Sequence, residues 1–353
     1  MGKQQICICR NLTDDLQKAL DLIDYDRLFV LTDTHTSKNC LHLLMGISSV
    51  ADAYKIEIPA GDTHKTMESL AHVWMELSCH GATRRSLMIN LGGGMVTDLG
   101  GFAASTFKRG IRFINIPTTL LAIVDAAVGG KTGINFNGLK NEVGVFSAAE
   151  YVFIETQFLQ TLDRENLLSG YAEMLKHGLI GTCKEWNRLL DFNWEQIDYE
   201  LLKELSASSV MVKENVVEED PFEKGIRKAL NLGHTVGHAF ESLSFELGKP
   251  LAHGYAVAFG LICELYLSYV KCGFPKEILR NAVTYIKENY GVFAISCKQY
   301  DRLYELMQHD KKNESGCINF TLLSDVGEVQ INQKAEKNEI MEMFDFYCCS
   351  LGM

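Results

Sequence analysis

The sequence lacks the features that would assign it to a secreted, membrane-embedded or nucleic-acid-binding class. Its 353 residues include 11 cysteines but no CxxC pair, and this odd count argues against a disulfide framework. No apolar leader follows the first five residues, and the longest clean apolar run, Ala256–Cys263, is much shorter than a membrane span. The net charge of −11, without a basic stretch, disfavours nucleic acid and anionic membranes. We therefore expect a cytoplasmic protein whose cysteines are reduced and serve mostly as small core hydrophobes.

The apolar pattern of the first part of the chain is typical of an α/β domain. A chain of 353 residues is long enough for two domains. Up to residue 158, short and nearly continuous apolar runs alternate with helical stretches, as buried parallel strands do. This pattern predicts a Rossmann-like parallel sheet over residues 1–158. The predicted strands are Arg27–Thr32, Tyr54–Ile58, Leu87–Leu91, Ile111–Ile116 and Tyr151–Ile154.

Helical periodicity dominates from residue 159 onward. We therefore predict a second, mainly α-helical domain over residues 159–353, with a cleft between the two domains. The predicted helices are Leu167–Ile180, Tyr199–Val217, Ala229–Leu247, Ala256–Val270, Pro275–Tyr290 and Gln299–His309. Two short strands, Ile318–Leu323 and Glu328–Gln330, are predicted near the end.

Two glycine-rich loops in the first domain are candidate phosphate-binding turns. Gly92–Gly94 follows a predicted strand and is expected to open a helix, where backbone N–H groups can hold a pyrophosphate. Gly129–Gly133 resembles the end of a P-loop. Neither register is strict, because Thr97 and Asp125 occupy positions where a glycine is expected. Each loop alone is equally consistent with a tight turn, but two such loops in one sheet favour a dinucleotide.

The strongest group of polar residues has the spacing of one helical face. A solvated face would more often carry Lys and Glu, and satisfied structural histidines are the alternative interpretation. His234 and His238 have the i, i+4 spacing of a zinc-binding pair. The group, whose members are 4, 3, 4 and 3 residues apart, is Arg227, Asn231, His234, His238 and Glu241.

Two further residues are candidate metal ligands. On the predicted helix GYAEMLKHG, Glu173 would share a polar face with Lys176 and His177. His253 comes just before a very apolar helix. Either residue alone is more simply a capping or surface residue. Together with His234 they would form a His–His–Glu set, which is the ligand class of catalytic zinc.

The basic residues are placed where they can serve an anionic substrate. In an acidic protein such residues would line a pocket for phosphate or carboxylate, although each one alone is more simply a surface residue. The candidates are Lys131, Lys140, Lys176, Lys213, Lys311 and Lys312. The residues alone thus predict an NAD- and zinc-dependent enzyme that acts on a small anionic substrate.

Long motifs in collinear order between residues 28 and 330 carry a family resemblance. They are LGGGMVTDLGG, PTTLLAIVDAAVGGKTGIN, GYAEMLKHGLI, NLGHTVGHAFE and AHGYAVAFG. The chain resembles the 3-dehydroquinate synthase family of the sugar-phosphate cyclases, which acts in the shikimate pathway. The resemblance implies conversion of 3-deoxy-D-arabino-heptulosonate 7-phosphate into 3-dehydroquinate and phosphate. The implied steps are transient oxidation by NAD+, phosphate elimination, reduction by the same NADH, ring opening and aldol closure.

The resemblance also implies roles for individual residues. The implied metal ligands are Glu173, His234 and His253, holding zinc or, alternatively, cobalt, so that His238 becomes an active-site residue instead of a ligand. The implied catalytic residues are Lys131, Lys176, His238, Asn141 and Asp125. The implied substrate-binding residues are Arg109, Lys213, Arg227, Asn231, Lys311 and Lys312.

The family further implies a cofactor site and a homodimer in which Arg109 reaches the partner's site. The implied NAD+ contacts are Asp33, Asp62, Lys65, Gly93, Gly94, Asp98, Thr118, Thr119, Lys140, Phe158 and Thr161. Asp62 and His35 stand where the family usually has Glu and Asn, at the adenosine end.

Three alternative functions share some of these features. Other sugar-phosphate cyclases have the same fold, but Lys213, Arg227 and Asn231 favour a substrate with a carboxylate. A metal-dependent polyol dehydrogenase would release NADH in each turnover. A non-catalytic metal- or phosphate-binding module would not need a cofactor loop together with three metal ligands.

Overall fold

The chain divides into two compact units in the computed structural model, which describes residues 4–137, 139–308 and 318–353. The first unit comprises Met1–Asp163 and the second comprises Arg164–Met353. The boundary expected from the sequence, between residues 158 and 159, lies within a short 3-10 helix of the first unit, Thr156–Thr161. The predicted fold class is confirmed, because a parallel α/β sheet comes first and a mainly helical unit follows.

The first unit is built on a parallel sheet. Its strands are β1 (Gln5–Ile8), β2 (Leu28–Asp33), β3 (Tyr54–Ile58), β4 (Leu87–Gly92), β5 (Arg112–Pro117), β6 (Lys131–Phe136), β7 (Leu139–Phe146) and β8 (Tyr151–Ile154). Six of them form the sheet in the order β1-β8-β5-β4-β2-β3, with every pair parallel. Strands β2 and β4 are buried along their whole length, which explains their unbroken apolar runs.

Helices and a hairpin complete the first unit. The helices are α1 (Leu12–Leu22), α2 (Thr34–Asn39), α3 (Ser48–Ala51), α4 (Met67–Cys79) and α5 (Gly94–Thr106). Side-chain oxygens of Asn11 and Thr66 accept backbone hydrogen bonds at the first turns of α1 and α4, which fixes where these helices begin. The antiparallel hairpin of β6 and β7 packs on α5 and was not predicted from the sequence.

The second unit is a helical assembly with one small hairpin. Its helices are α6 (Arg164–Ile180), α7 (Cys183–Leu190), α8 (Tyr199–Glu219), α9 (His234–Glu246), α10 (His253–Cys272), α11 (Lys276–Tyr290), α12 (Cys297–Gln308) and α13 (Lys337–Leu351). Its strands are β9 (Asn319–Asp325) and β10 (Glu328–Lys334), which pair antiparallel. The predicted helix over 229–247 is wrong in its first part, because a 3-10 helix (Ile226–Asn231) precedes α9 and the left-handed Gly233 (φ 79°) separates the two.

Glycines allow α6, α9 and α10 to pack unusually closely. A Cβ atom on Gly260 of α10 would lie 2.0 Å from the carbonyl oxygen of Gly233 and 2.7 Å from the nitrogen of Gly237. A Cβ atom on Gly254 would lie 1.8 Å from the carbonyl oxygen of Ser169 on α6. Because no side chain fits at either place, backbone packs directly against backbone.

Helix α10 and the cysteines are the two sets of apolar residues whose burial bears on the predictions from the sequence. Helix α10 is long and apolar enough to cross a membrane. However, 67% of its most apolar stretch is buried inside the protein. Packing against α6, α9, α11 and β9 accounts for its composition. The ten cysteines in the described part of the chain are all free. The expectation that most of them are core residues is wrong, because only Cys9, Cys40 and Cys263 are buried.

Candidate active site

Three potential metal ligands converge in the second unit. Glu173 lies on α6, His234 is the first residue of α9 and His253 is the first residue of α10. One ligand atom from each lies within 4.8 Å of those of the other two. The close packing of these helices thus brings together side chains that are far apart in the sequence.

The geometry of this group fits a metal ion. The Nε2 atoms of His234 and His253 each lie 3.4 Å from Oε1 of Glu173, which is too long for a charge-assisted hydrogen bond. This oxygen is buried and has no hydrogen-bond partner among the described residues. A buried carboxylate oxygen facing two imidazole nitrogens is suited to share a cation with them. Two histidines and a glutamate are also the donor set of catalytic zinc sites.

Lys176 compensates the charge of Glu173. Its ammonium pairs with Oε2 of Glu173 one turn along α6, and both side chains are buried. Burial opposes ionisation of Glu173, but the positive charge of Lys176 and the contacts with His234 and His253 outweigh it and hold the pKa of Glu173 well below its usual value. Burial likewise opposes protonation of His253, but the carboxylates of Glu173 and Glu241 raise its pKa to about 10.

Both histidines are oriented through their other ring nitrogen. Nδ1 of His234 lies 3.1 Å from the carbonyl oxygen of Leu232, which makes this nitrogen the donor. Nδ1 of His253 lies 3.5 Å from Oε2 of Glu241. These contacts leave Nε2 of each ring directed at Glu173, and such outer contacts are typical of metal-binding histidines.

His238, the other half of the predicted zinc pair, lies beside this group. Its ring centroid is 5.4 Å from that of His234 and 6.0 Å from that of His253. It is not one of the three residues whose ligand atoms converge. The i, i+4 spacing therefore identified α9, which supplies one histidine of the converging group. The second histidine of this group comes from α10.

The predicted polar stripe of α9 is wrong in its first part. Arg227 and Asn231 do not continue this stripe, because they belong to the preceding 3-10 helix. On α6, Glu173 pairs with Lys176, but the helix is buried on every side from Leu167 to Leu179. The ring of His177 instead makes a 2.6 Å contact with the hydroxyl of Ser209 on α8.

The second unit buries further cations near these elements. Lys213 of α8 and Arg227 are both buried, and α6, α8 and the 3-10 helix 226–231 pack against one another. Nη1 of Arg227 donates to the carbonyl oxygen of Pro221 at 2.7 Å. Nδ2 of Asn231 donates to Oε1 of Glu223 at 2.9 Å. Buried cations held by such contacts are suited to bind an anion in a fixed orientation.

In the first unit, five of the eleven residues predicted to contact NAD+ lie where the parallel strands end. Asp33 ends β2, Gly93 and Gly94 join β4 to α5, and Thr118 and Thr119 follow β5. This edge of a parallel sheet is where ligands of such folds bind. A Cβ atom on Gly93 would lie 3.1 Å from Cγ2 of Thr119, so the bare turn keeps the N-terminus of α5 open.

A buried lysine joins several predicted cofactor residues. Nζ of Lys65 lies 2.6 Å from Oδ2 of Asp98 and also donates to Oδ1 of Asn141. Asn135, which sequence reasoning missed, connects the same segments. Its backbone N–H donates to Lys65 at 2.8 Å, its Nδ2 to Asp62 at 3.2 Å, and its Oδ1 accepts from the N–H of Asn141 at 2.9 Å. Its place at the end of the GGKTGIN run was the signal available.

Some predicted residues have structural roles that already explain them. Asp33 caps α2 by accepting from the N–H groups of His35 and Thr36. The side chain of Phe158 packs in the hydrophobic core, and the hydroxyl of Thr161 donates to the carbonyl oxygen of Phe158 at 2.7 Å. For these residues, a cofactor contact remains a prediction.

The second glycine loop is not a P-loop. Gly129 and Gly130 have positive φ angles of 99° and 67°, but strand β6 follows them instead of a helix. Its Lys131 is exposed, and Asp125 lies in a π-helical turn, Ala122–Ala126, of a kind frequent at functional sites. The exposed Lys140 lies 3.5 Å from Asp62. Lys311 and Lys312 lie outside the described residues.

Comparison with known proteins identifies the family. The N-terminal domain model of 3-dehydroquinate synthase matches residues 55–169, and the C-terminal domain model matches residues 170–313. A 3-dehydroquinate synthase from Parabacteroides distasonis is 56% identical over 353 residues, which is 100% of both chains.

Solved structures of sugar-phosphate cyclases share the fold. A 2-epi-5-epi-valiolone synthase from Streptomyces hygroscopicus, with NAD+ and Zn2+ bound, has a TM-score of 0.84 at 22% identity, covering 98% of this chain and 96% of that one. A 2-deoxy-scyllo-inosose synthase with carbaglucose-6-phosphate, NAD+ and Co2+ has a TM-score of 0.82 at 22% identity, covering 96% and 95%. Together with the matches in sequence, these findings mean that the chain belongs to the 3-dehydroquinate synthase family.

Proposed function

We propose that this protein catalyses the reaction of its family, the conversion of 3-deoxy-D-arabino-heptulosonate 7-phosphate into 3-dehydroquinate and inorganic phosphate. The observation that carries this proposal is the convergence of Glu173, His234 and His253 next to Lys176, in a chain related to such enzymes over its full length. The reaction is a phosphate-eliminating lyase reaction without net oxidation. It supplies the carbocycle of the aromatic amino acids through the shikimate pathway.

Glu173, His234 and His253 would hold a zinc or cobalt ion, because both metals suit imidazole and carboxylate ligands. When bound, the metal lowers the pKa of a coordinated substrate hydroxyl, and NAD+ supplies an acceptor that returns its hydride later in the same turnover. The protein contributes a buried site in which the charge of Glu173 is balanced by Lys176.

The proton-transfer groups are proposed to be Lys176 and His238. Lys176 is fixed by its pair with Glu173, and its positive charge favours an anionic phosphate nearby. His238 is half-buried beside His234, and imidazole is the side chain most often used for proton transfer in enzymes. Lys131, Asn141 and the two lysines 311 and 312 are proposed to complete the phosphate site, and Asp125 is proposed to hold a substrate hydroxyl.

Lys213 and Arg227 are proposed to bind the substrate carboxylate, and Asn231 a hydroxyl. Arg227 is held on its backbone side, where its N–H donates to Oδ2 of Asp220 at 3.2 Å. A guanidinium positioned in this way can bind a carboxylate through two hydrogen bonds, which a lysine cannot do. This part of the site would distinguish a heptulosonate from heptulose or hexose phosphates that lack a carboxylate.

The cofactor is proposed to bind residues 1–158 at the carboxyl ends of the strands, and the metal and the substrate carboxylate to bind residues 159–353. Lys65, Asp98, Asn135 and Asn141 form a hydrogen-bonded group that would support this edge. The N-terminus of α5 behind Gly93 would face the pyrophosphate. We also propose that the protein is a cytoplasmic homodimer. None of the cysteines among the described residues forms a disulfide, which supports a reducing compartment such as the cytoplasm.

A phosphate-release assay with the single heptulosonate substrate tests this function. We expect one phosphate per substrate consumed, no accumulation of NADH, and complete loss of rate after treatment with a chelator. The matched substrate is a heptulose phosphate without the carboxylate, which should react much more slowly. Steady NADH formation without phosphate would instead identify a polyol dehydrogenase, and a preference for the substrate lacking the carboxylate would identify another cyclase.

A further inference from the structure

A buried glutamate on α10 lies three helical turns from the candidate ligand His253. Glu264 has no exposed surface and follows His253 by 11 residues, which places both on the same side of the helix. Gly260 lies between them on this side, at the closest approach of α10 to Gly233. The side of α10 that carries His253 is therefore also the side that meets the beginning of α9.

The carboxylate of Glu264 holds the first turn of α9. Oε2 accepts from the backbone N–H of Gly233 at 2.6 Å, and Oε1 accepts from that of Val236 at 3.0 Å. These two amides flank His234 in the sequence. Gly233, at the N-cap position, has no side chain with which to cap the helix, and its φ of 79° is left-handed. Glu264 thus supplies from a neighbouring helix the acceptors that an N-cap side chain normally provides.

We propose that Glu264 is a positioning residue that sets the place of His234 relative to His253. One side chain connects the helix that begins with His253 to the turn that begins with His234, and the two imidazole centroids are 5.5 Å apart. The proposal rests on the proposed metal site. Glu264 itself would not touch the metal, because both of its oxygens bind backbone N–H groups of α9.

Both oxygens of Glu264 must be acceptors for this role. A glutamine has nearly the same shape, but its amide NH2 would face one of the two backbone N–H groups, so one contact would become repulsive. The loss of negative charge would also weaken the interaction with the positive end of the α9 dipole. The first turn of α9 would then be held at one point, and His234 would be free to move away from Glu173.

The test compares Glu264→Gln with a matched variant, Ser268→Ala, in the full-length protein. Ser268 lies one turn further along α10, is equally buried and accepts from the N–H of Leu323 at 3.0 Å, so its bond reaches β9 and not α9. Zn2+ affinity is measured by competition with a chromophoric chelator, and the visible spectrum of the Co2+-loaded protein reports ligand geometry. The unfolding temperature of the metal-free protein is measured for each variant.

We expect Glu264→Gln to weaken Zn2+ binding about tenfold to hundredfold and to alter the Co2+ spectrum. Ser268→Ala should lower the unfolding temperature but keep the affinity and the spectrum of the wild type. Unchanged affinity in Glu264→Gln, or an equal loss in both variants, would overturn the positioning role. The wild-type titration is performed first, and a wild-type protein that binds no Zn2+ would refute the proposed metal site itself, and the inference with it.

Discussion

A carboxylate without exposed surface, such as that of Glu173, is stable in its charged form only beside compensating cations. Lys176 supplies one positive charge to Oε2, while Oε1 faces His234 and His253 without a hydrogen bond among the described residues. Lys176 therefore balances the charge of Glu173 at Oε2, and the surroundings of Oε1 suit a further cation. Removing either histidine should affect the metal far more than the fold.

Individual replacement of His234 and His238 separates ligand from catalyst. His234→Ala removes a nitrogen directed at Glu173 and should weaken metal binding by more than about a hundredfold. His238→Ala should keep the metal and lower kcat by about a hundredfold to ten-thousandfold, as expected for a lost proton-transfer group. Metal content of the purified variants, together with their phosphate-release rates, checks both. Equal metal loss in the two variants would contradict the assignment.

The difference between these two histidines shows what local spacing can predict. His234 and His238 are four residues apart, so the spacing rule selects them as a pair. In the structure His234 converges with His253 instead, because α9 and α10 approach each other at glycines. Such convergence depends on helix packing, which the periodicity of a single helix does not contain. The longer family motifs imply this convergence, because the family resemblance assigns Glu173, His234 and His253 to one metal site.

The geometry of the site depends on the contact between helices α9 and α10. A methyl group on Gly260 would lie 2.0 Å from the carbonyl oxygen of Gly233, and neither backbone can move without moving a candidate ligand. Gly260→Ala should therefore lower the free energy of unfolding by roughly 2–4 kcal/mol and weaken metal binding as well. Thermal or urea unfolding and a Zn2+ titration measure the two effects.

Gly46→Ala is the matched control for this prediction. No atom lies within 4 Å of a Cβ atom at Gly46, and its φ is not in the left-handed region. The stability of this variant should stay within about 0.5 kcal/mol of the wild type. If Gly260→Ala were as stable as Gly46→Ala, this result would contradict the close packing of α9 against α10.

At the level of elements, the buried strands were the most predictable and the start of α9 was the least. Strand Tyr151–Ile154 has the predicted bounds because a buried parallel strand is a local apolar run. Strand Tyr54–Ile58 also has the predicted bounds, although it lies at the sheet edge and its sequence alternates. The helix predicted over 229–247 is interrupted because Gly233 is left-handed and its N–H binds Glu264 on α10. That bond spans 31 residues, so local periodicity could not reveal it.

The negative net charge of the molecule does not prevent the second unit from burying several cations. The net charge is −11, yet the second unit buries Lys176, Lys213 and Arg227 on elements that pack together. Buried cations act at short range in a low dielectric, where they outweigh a diffuse negative surface screened by salt. An anionic substrate is therefore compatible with an acidic protein.

The backbone at Arg109 has an uncommon conformation. Lys108 and Arg109 are exposed and have consecutive positive φ angles of 49° and 69°, which is unfavourable for residues with side chains. Strain of this kind is often found at functional sites. We propose, on the family resemblance alone, that Arg109 reaches the active site of a partner subunit.

Mixing two inactive variants tests both the proposed homodimer and the proposed role of Arg109. Arg109→Ala and His238→Ala should each be nearly inactive alone. If Arg109 acts on the partner's site, a heterodimer contains one site that has both residues, so equal mixing with full subunit exchange should restore about a quarter of the wild-type rate. The control is each variant mixed with itself under the same exchange conditions. If Arg109 instead serves the site of its own subunit, each site in the heterodimer still lacks one residue, and no activity returns.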